Sequence, residues 1–273
     1  MSPGDDAAFE RLTRYVSARA GLALGDYKDK CLRRRVAVRM RACGAHTYDE
    51  FRNMLEGSAA ELQRLTDVLT INVTKFYRNR DTWATVTRLV APELYQGEGP
   101  RRIWCAGCAS GEEAHTLAMV MAEAAAALGH PGWLERISID ATDIDRISLE
   151  RAEAGIYNES ALAEADPAVI GRWMEPQPDG RFRVSDRLRR RIRVRRQDLL
   201  REAAPARGYD LITCRNVIIY FDRPGQERLM ATFCDALRPG GFLLLGKVET
   251  ILGPVRHRLD LIDARERLYR LAA

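Results

Sequence analysis

A chain of 273 residues, 46% hydrophobic and 30% charged, carries enough apolar material for a sizeable core and is not a disordered segment. Its 43 Lys and Arg against 38 Asp and Glu leave a formal charge of +5, too small to prescribe a partner. The best candidate for a membrane span, residues 118–128, is broken by Glu123 and falls short of the roughly 18 to 20 residues that cross a bilayer. The acidic start Met1-Ser2-Pro3-Gly4-Asp5-Asp6 lacks the pattern of a secretory signal, and six cysteines without a regular framework read as reduced thiols. A cytoplasmic location without membrane insertion is therefore expected.

Residues 9–53 are helical in pattern. Phe9, Leu12 and Val16, then Leu32, Val36 and Met40, recur at three or four residue spacing, with Gly21, Gly25, Gly44 and Gly57 as punctuation. After Gly97-Glu98-Gly99-Pro100 the texture changes. Strand candidates at 102–105, 137–142, 209–213 and 242–245 alternate with helices at 112–128, 146–154 and 226–237. Such alternation implies βαβ units and a doubly wound, mostly parallel α/β sheet, and near-continuous apolar strands imply cover on both faces. Period-2 alternation at 181–184 and 191–195 predicts a small antiparallel β flap, its second strand running on into the main sheet. The expected domains are an all-helical unit at 1–75 and an α/β unit at 76–273, with the flap at about 172–192.

Four motifs carry chemistry. In Cys105-Ala106-Gly107-Cys108-Ala109-Ser110-Gly111-Glu112-Glu113, a strand enters a small-residue loop that opens a helix, the first crevice of a dinucleotide-type fold. No P-loop lysine is present, and Glu112 and Glu113 would repel a pyrophosphate, whereas an acidic lip suits S-adenosylmethionine with its sulfonium, ammonium and ribose diol. The loop alone is equally compatible with a tight turn whose acids favour the helix dipole. In Thr142-Asp143-Ile144-Asp145, one carboxylate is expected to cap the next helix and the other to bind ribose hydroxyls. Cys214-Arg215-Asn216-Val217-Ile218-Ile219-Tyr220-Phe221-Asp222 follows a strand whose end borders the crevice, although Tyr220-Phe221 also reads as core aromatics. Thr70-Ile71-Asn72-Val73-Thr74-Lys75-Phe76-Tyr77-Arg78 mixes polar and aromatic residues in a way unusual for a linker, a capping turn being the alternative.

Together the motifs resemble the chemotaxis receptor methyltransferase family over nearly the whole chain. TINVTKFYR, GCASGEEAHT, TDID and CRNVIIYFD stand where that family has T-x-N-x-T-x-F-F-R, G-C-S-x-G-E-E-P-Y-S, a D-I-D strand end and C-R-N-V-x-I-Y-F-D. The resemblance implies a class I S-adenosylmethionine methyltransferase fold, releasing S-adenosylhomocysteine after methylating receptor glutamates. It implies that Asn72, Thr74 and Arg78 contact the cofactor, with Gly107 in its loop, and that Glu113 and Asp143 hold the methionyl amine side and the ribose. It further implies that Asp198-Leu199 frame the adenine, that Arg215-Asn216 form the pocket floor, and that Tyr220 lies near the transferable methyl. Departures are Ala114-His115 for Pro-Tyr, Tyr77 for Phe, and Asp198 where Asn is common.

A glutamate side chain, with a pKa of roughly 4.3, is already a nucleophile at neutral pH. No strong base is needed, so Arg78 and Tyr220 are expected to position rather than shuttle protons. Lys28, Lys30, Arg33, Arg34, Arg35, Arg39 and Arg41 face only Asp29 along an amphipathic helix. By resemblance this cationic face docks acidic methylation helices of chemoreceptors, a merely solvated helix being the bland alternative; nucleic acid is disfavoured because no aromatics interleave. The arginines of 181–196 form a second basic patch. In the family this subdomain can take up a receptor tail by strand addition, but the hairpin before Arg181 is short and dependence on it is not expected. Cys105-x-x-Cys108 lacks a second ligand pair and the four histidines are scattered, so no metal is assigned. The rival readings are a methyltransferase of RNA or a small molecule, and a non-catalytic cofactor-sensing adaptor.

Overall fold

The computed structural model describes residues 3–69, 74–251 and 253–272. Its first part is helical: α1 (Pro3–Ala20), a 3-10 turn (Leu24–Asp26), α2 (Asp29–Cys43), α3 (Tyr48–Gly57) and α4 (Ala59–Leu69). The residues of the helical period meet in one core, Phe9, Leu12 and Val16 of α1 against Leu32, Val36 and Met40 of α2 and Phe51, Leu55, Leu65 and Leu69 of α3 and α4. A reciprocal cap starts α3, where the Thr47 hydroxyl accepts from the Glu50 N–H and the Glu50 carboxylate accepts from the Thr47 N–H.

A stretch the sequence left unassigned is also helical. It runs as α5 (Arg80–Thr85), a π turn (Val86–Val90) and α6 (Ala91–Tyr95). Pro92 has no N–H to give the preceding turn, and the Ala91 N–H reaches back five residues to the Val86 carbonyl.

The α/β part follows as β1 (Arg101–Ala106), α7 (Glu112–Ala127), β2 (Ile137–Asp143), α8 (Arg146–Ala154), β3 (Ile156–Tyr157), α9 (Pro167–Trp173), β4 (Met174–Pro176), β5 (Phe182–Val184), α10 (Asp186–Arg189), β6 (Ile192–Arg196), β7 (Tyr209–Cys214), α11 (Arg223–Ala236), β8 (Leu237–Leu245), β9 (Leu259–Asp263) and β10 (Leu268–Leu271). The main sheet has the order β6-β2-β1-β7-β8-β10-β9, parallel throughout except that β10 is antiparallel to both its neighbours. This is the doubly wound sheet expected. Successive strand residues serve opposite layers: Ile103 and Cys105 join the core beneath α7, while Trp104 and Ala106 join Leu229 and Phe233 of α11. Burial on both faces is why these strands read as continuous apolar runs.

The flap is a three-stranded antiparallel sheet in the order β3-β5-β4. β6 pairs in parallel with β2 and is a strand of the main sheet from its first residue. As the outermost strand it is half solvated, with Arg193, Arg195 and Arg196 exposed, so its alternation mimics an antiparallel hairpin. β8 begins five residues before the predicted Phe242 and carries Pro239-Gly240-Gly241 through a register shift against β7. A Cβ on Gly241 would lie 2.8 Å from the Tyr209 carbonyl oxygen, so only glycine passes there. The order in which successive strands are laid down reverses between the parallel neighbours β1 and β7, where an open α/β sheet leaves its crevice.

Candidate active site

The cavity at that reversal is walled by the β1–α7 loop, the ends of β2, β6 and β7, and the connection from the helical region. The Gly107 and Cys108 N–H groups both donate to the Thr142 carbonyl, at 2.8 and 2.9 Å, pinning the loop onto the end of β2. Gly107 has φ +79°, and a Cβ there would sit 2.4 Å from a Val217 methyl. Gly111, at φ +93°, caps α7 with Ala152 where its Cβ would be. Ala109 at φ 48° and Asn216 at φ 61° occupy the left-handed region without being glycine, as does Asn79 at 63°. Such backbone persists where surroundings over-determine it, and it gathers at functional sites.

The two loop acids part company. Glu112 turns away from the cavity and is buried with the Ser110 hydroxyl donating to it at 2.7 Å, which corrects the expectation of a doubly acidic lip. Burial pushes its pKa up. Glu113 faces the cavity and is paired there: Thr213 Oγ1 donates to it at 2.8 Å and Arg215 Nη1 at 3.0 Å. Arg215 also donates to the Arg78 carbonyl at 2.9 Å and to Asn79 Oδ1 at 3.0 Å, so one buried guanidinium ties the loop, β7 and the segment after the helical region.

The Asp143/Asp145 alternatives resolve by geometry. Asp145 caps α8, accepting from the Ile147 N–H at 3.1 Å and the Ser148 hydroxyl at 2.8 Å. Asp143 lines the cavity, accepting from the Asp145 N–H at 3.0 Å and the Ala109 N–H at 2.8 Å. Burial raises its pKa and those backbone donors oppose the rise. Beyond β6, Asp198 spends Oδ1 on the Leu200 N–H at 2.9 Å. Its Oδ2, with Arg201 Nε 3.8 Å away, and Gln197 Oε1 are buried without a hydrogen-bond partner among the described residues, and both residues line the cavity. Two orphaned acceptors call for a ligand that donates, as an adenine amine or ribose hydroxyls do.

Thr74, Arg78, Gly107, Glu113, Asp143, Asp198, Leu199, Arg215, Asn216 and Tyr220 all line this one cavity; Asn72 lies outside the described residues. Sequence reasoning missed Tyr27, Leu69, Ile144 and Gln197, of which Tyr27 and Leu69 arrive from the helical region. It also missed Glu249, whose buried carboxylate accepts from the Asn216, Val217 and Gly246 N–H groups at 2.9, 2.9 and 2.6 Å and so holds the strained loop in place. An acid four residues past a buried strand was the available signal. His115, at the departure from Pro-Tyr, sits behind the loop with Nδ1 2.9 Å from the Gly111 carbonyl and 3.0 Å from the Tyr157 hydroxyl. Burial pushes its pKa down to about 4, so it is a neutral support for the Gly111 turn.

The cationic helix divides. Lys30, Arg34 and Arg41 are exposed along α2. Arg33 is held by Asp6 at 2.9 Å and Asp29 at 2.6 Å, over the Phe9 ring. Arg39 is turned into a pair with Glu61, Nη2 to Oε2 at 2.9 Å. Arg35 is only 4% exposed, which corrects its assignment to the docking face. It donates to the Leu69 carbonyl and lies over the Tyr220 ring at 4.3 Å, with Nε and Nη2 unpartnered among the described residues. The cause is α4, whose Glu61 and C-terminal carbonyl draw two of the arginines inward. Among the described residues no group of three His, Cys, Asp or Glu side chains is placed to hold a metal, and no helix is long and apolar enough to cross a membrane.

Residues 72–267 match the family described as CheR methyltransferase, SAM binding domain, and residues 7–70 match CheR methyltransferase, all-alpha domain. A chemotaxis protein methyltransferase of Listeria monocytogenes is 33% identical over 264 residues, 96% of this chain and 97% of that one. One from Vibrio parahaemolyticus is 32% identical over 251 residues, 91% of this chain and 90% of its own. Among solved structures, the N-methyltransferase NodS from Bradyrhizobium japonicum, in complex with S-adenosyl-L-homocysteine, aligns at TM-score 0.42 and 16% identity, covering 71% of this chain and 87% of that one.

Proposed function

The chain belongs to the CheR methyltransferase family, and from that premise we propose that it esterifies glutamate side chains on the cytoplasmic helices of methyl-accepting chemoreceptors. Its cofactor is S-adenosylmethionine, which supplies an electrophilic methyl on a sulfonium when bound. In this reading Asp143 accepts the ribose hydroxyls, and Asp198 Oδ2, Gln197 Oε1 and the Leu199 side chain receive the adenine. Glu113, Thr74, Arg78, Arg215 and Asn216 surround the methionyl end.

The observation that carries the proposal is that one cavity is lined by groups of both signs. Carboxylates Asp143 and Asp198 line it together with Arg78 and with Tyr220, over whose ring the Arg35 guanidinium lies. The Glu113–Arg215 pair in its wall is internally neutral. Such an arrangement receives a cationic donor and an anionic acceptor together. A glutamate side chain, pKa roughly 4.3, needs no deprotonation at neutral pH, so the work left to Arg78 and Tyr220 is alignment and the exclusion of water. Cys108, which lines the cavity, does not compete as a nucleophile, and neither do the buried Cys105 and Cys214, since burial raises all three thiols well above their ordinary value.

Outside the cavity, Lys30, Arg34 and Arg41 present positive charge from the helix that begins beside Tyr220, which suits an acidic receptor helix. The test is to incubate the protein with methyl-labelled cofactor and chemoreceptor-bearing membranes, then treat with mild base. Release of volatile labelled methanol is the expected result. Base-stable label on protein or nucleic acid, or no label, refutes the assignment.

A further inference from the structure

Tyr27 belongs to the helical region by sequence and to the cavity by position. It follows the 3-10 turn Leu24–Asp26 and immediately precedes Lys28, the residue that caps α2. The short segment around it is laced to the loop that carries Tyr220. The Asp222 N–H donates to the Asp26 carbonyl at 2.8 Å and the Lys28 N–H to the Tyr220 carbonyl at 2.9 Å, forming an antiparallel bridge between Tyr27 and Phe221. Lys28 Nζ adds a bond to the Ile219 carbonyl at 2.8 Å, and Asp26 pairs with Arg228 at 2.6 Å. With its backbone fixed on both sides, the Tyr27 ring stands edge-on to Phe221 at 5.2 Å and its side chain lines the cavity.

Burial, with the charges of Asp198 and Asp143, pushes the Tyr27 hydroxyl up, so it is an O–H donor at neutral pH in the cavity those two acids also line. We infer that Tyr27 closes the adenosine end of the cofactor site and that cofactor occupancy, acting through it, further restrains the first turn of α2, which the bonds to Tyr220 and Ile219 already seat. This rests on the reading that the Asp143–Asp198 side receives adenosine. Because coupling between two ligands is reciprocal, a receptor helix seated on α2 would in turn favour the bound cofactor.

The experiment uses the full chain and S-adenosylhomocysteine, with calorimetry for affinity and amide hydrogen exchange for order. The Cys31 and Leu32 N–H groups, bonded to the Lys28 carbonyl, report the first turn of α2. Tyr27→Ala should weaken binding roughly tenfold, and Tyr27→Phe, which keeps the ring and the fold, about two- to fivefold. Ligand should slow exchange at Cys31 and Leu32 in the wild type and not in Tyr27→Ala. Val38→Ala, on the exposed face of the same helix, should leave affinity unchanged. Wild-type affinity in both Tyr27 variants, or no protection of α2 on binding, overturns the inference alone. A wild-type protein that does not bind S-adenosylhomocysteine overturns the cofactor reading beneath it as well.

Discussion

Replacing Glu61 with glutamine tests whether the inward arginines of α2 are structural. The Arg39 guanidinium holds the Glu61 carboxylate, with help from Cys43 and Arg64 and against the cost of burial, down to about 2 from its ordinary 4.5. At about 1.4 kcal/mol per pH unit, that depression corresponds to about 3 kcal/mol of folding stability. The side chain is only 9% exposed, so solvent screening takes little from it. The sign follows from the direction of the shift. A lowered carboxyl stabilises the fold fully above its unfolded value of 4.5, and the contribution fades as pH falls toward about 2. Urea unfolding of wild type and Glu61→Gln should therefore differ by about 3 kcal/mol at pH 7 and by about 1 kcal/mol at pH 3. Arg34→Ala, on the exposed face, should show neither the loss nor the pH dependence. A gap between wild type and Glu61→Gln that is the same at both pH values would refute the reasoning, because a lost packing contact does not titrate.

Four further outcomes are expected. Gly107→Ala forces a methyl against Val217 at a backbone φ of +79°, and should cost roughly 2–4 kcal/mol by denaturant midpoint while weakening S-adenosylhomocysteine binding. Glu249→Gln sets an NH2 group against N–H donors under the strained Asn216, and should lower stability by about 2–3 kcal/mol with a parallel loss of calorimetric affinity. Arg78→Ala should lower kcat at saturating cofactor about tenfold or more; unchanged turnover would remove it from the alignment machinery. The double variant Arg34→Glu, Arg41→Glu should slow receptor methylation and flatten its salt dependence while the melting temperature stays within about 1 °C.

Much of this architecture was readable because local pattern and tertiary environment agree. The apolar strand pairs Leu211-Ile212 and Leu243-Leu244 read as doubly covered and are, since Leu211 and Leu244 join one apolar cluster and Ile212 and Leu243 the other. Gly107 and Gly111 marked a turn no other residue fits, and Asp143 and Asp145 offered two acids of which one had to cap. What escaped depends on partners far along the chain. Nothing near Arg35 says that Leu69 and Tyr220 flank it, and a run of cations every one to four residues gives no sign of which will be drawn inward. Tyr27 is placed by a bridge to Phe221, almost two hundred residues later. β6 misled for a related reason, since an edge strand and a hairpin strand share a period and differ only in what lies beside them. The helix over α5 and α6 was hidden by Pro92, whose missing N–H is absorbed by the π turn rather than ending the helix.

The arginines of β6 have one more effect. An outermost strand offers a row of unpaired amides and carbonyls on which a stray strand from another copy could crystallise a continuous ribbon. Arg193, Arg195 and Arg196 stand exposed along that border, so an identical border drawn alongside would stack like charge on like charge. Repulsion does for this rim what a covering helix does elsewhere, opposing edge-to-edge association at no expense to the cavity at the strands' ends.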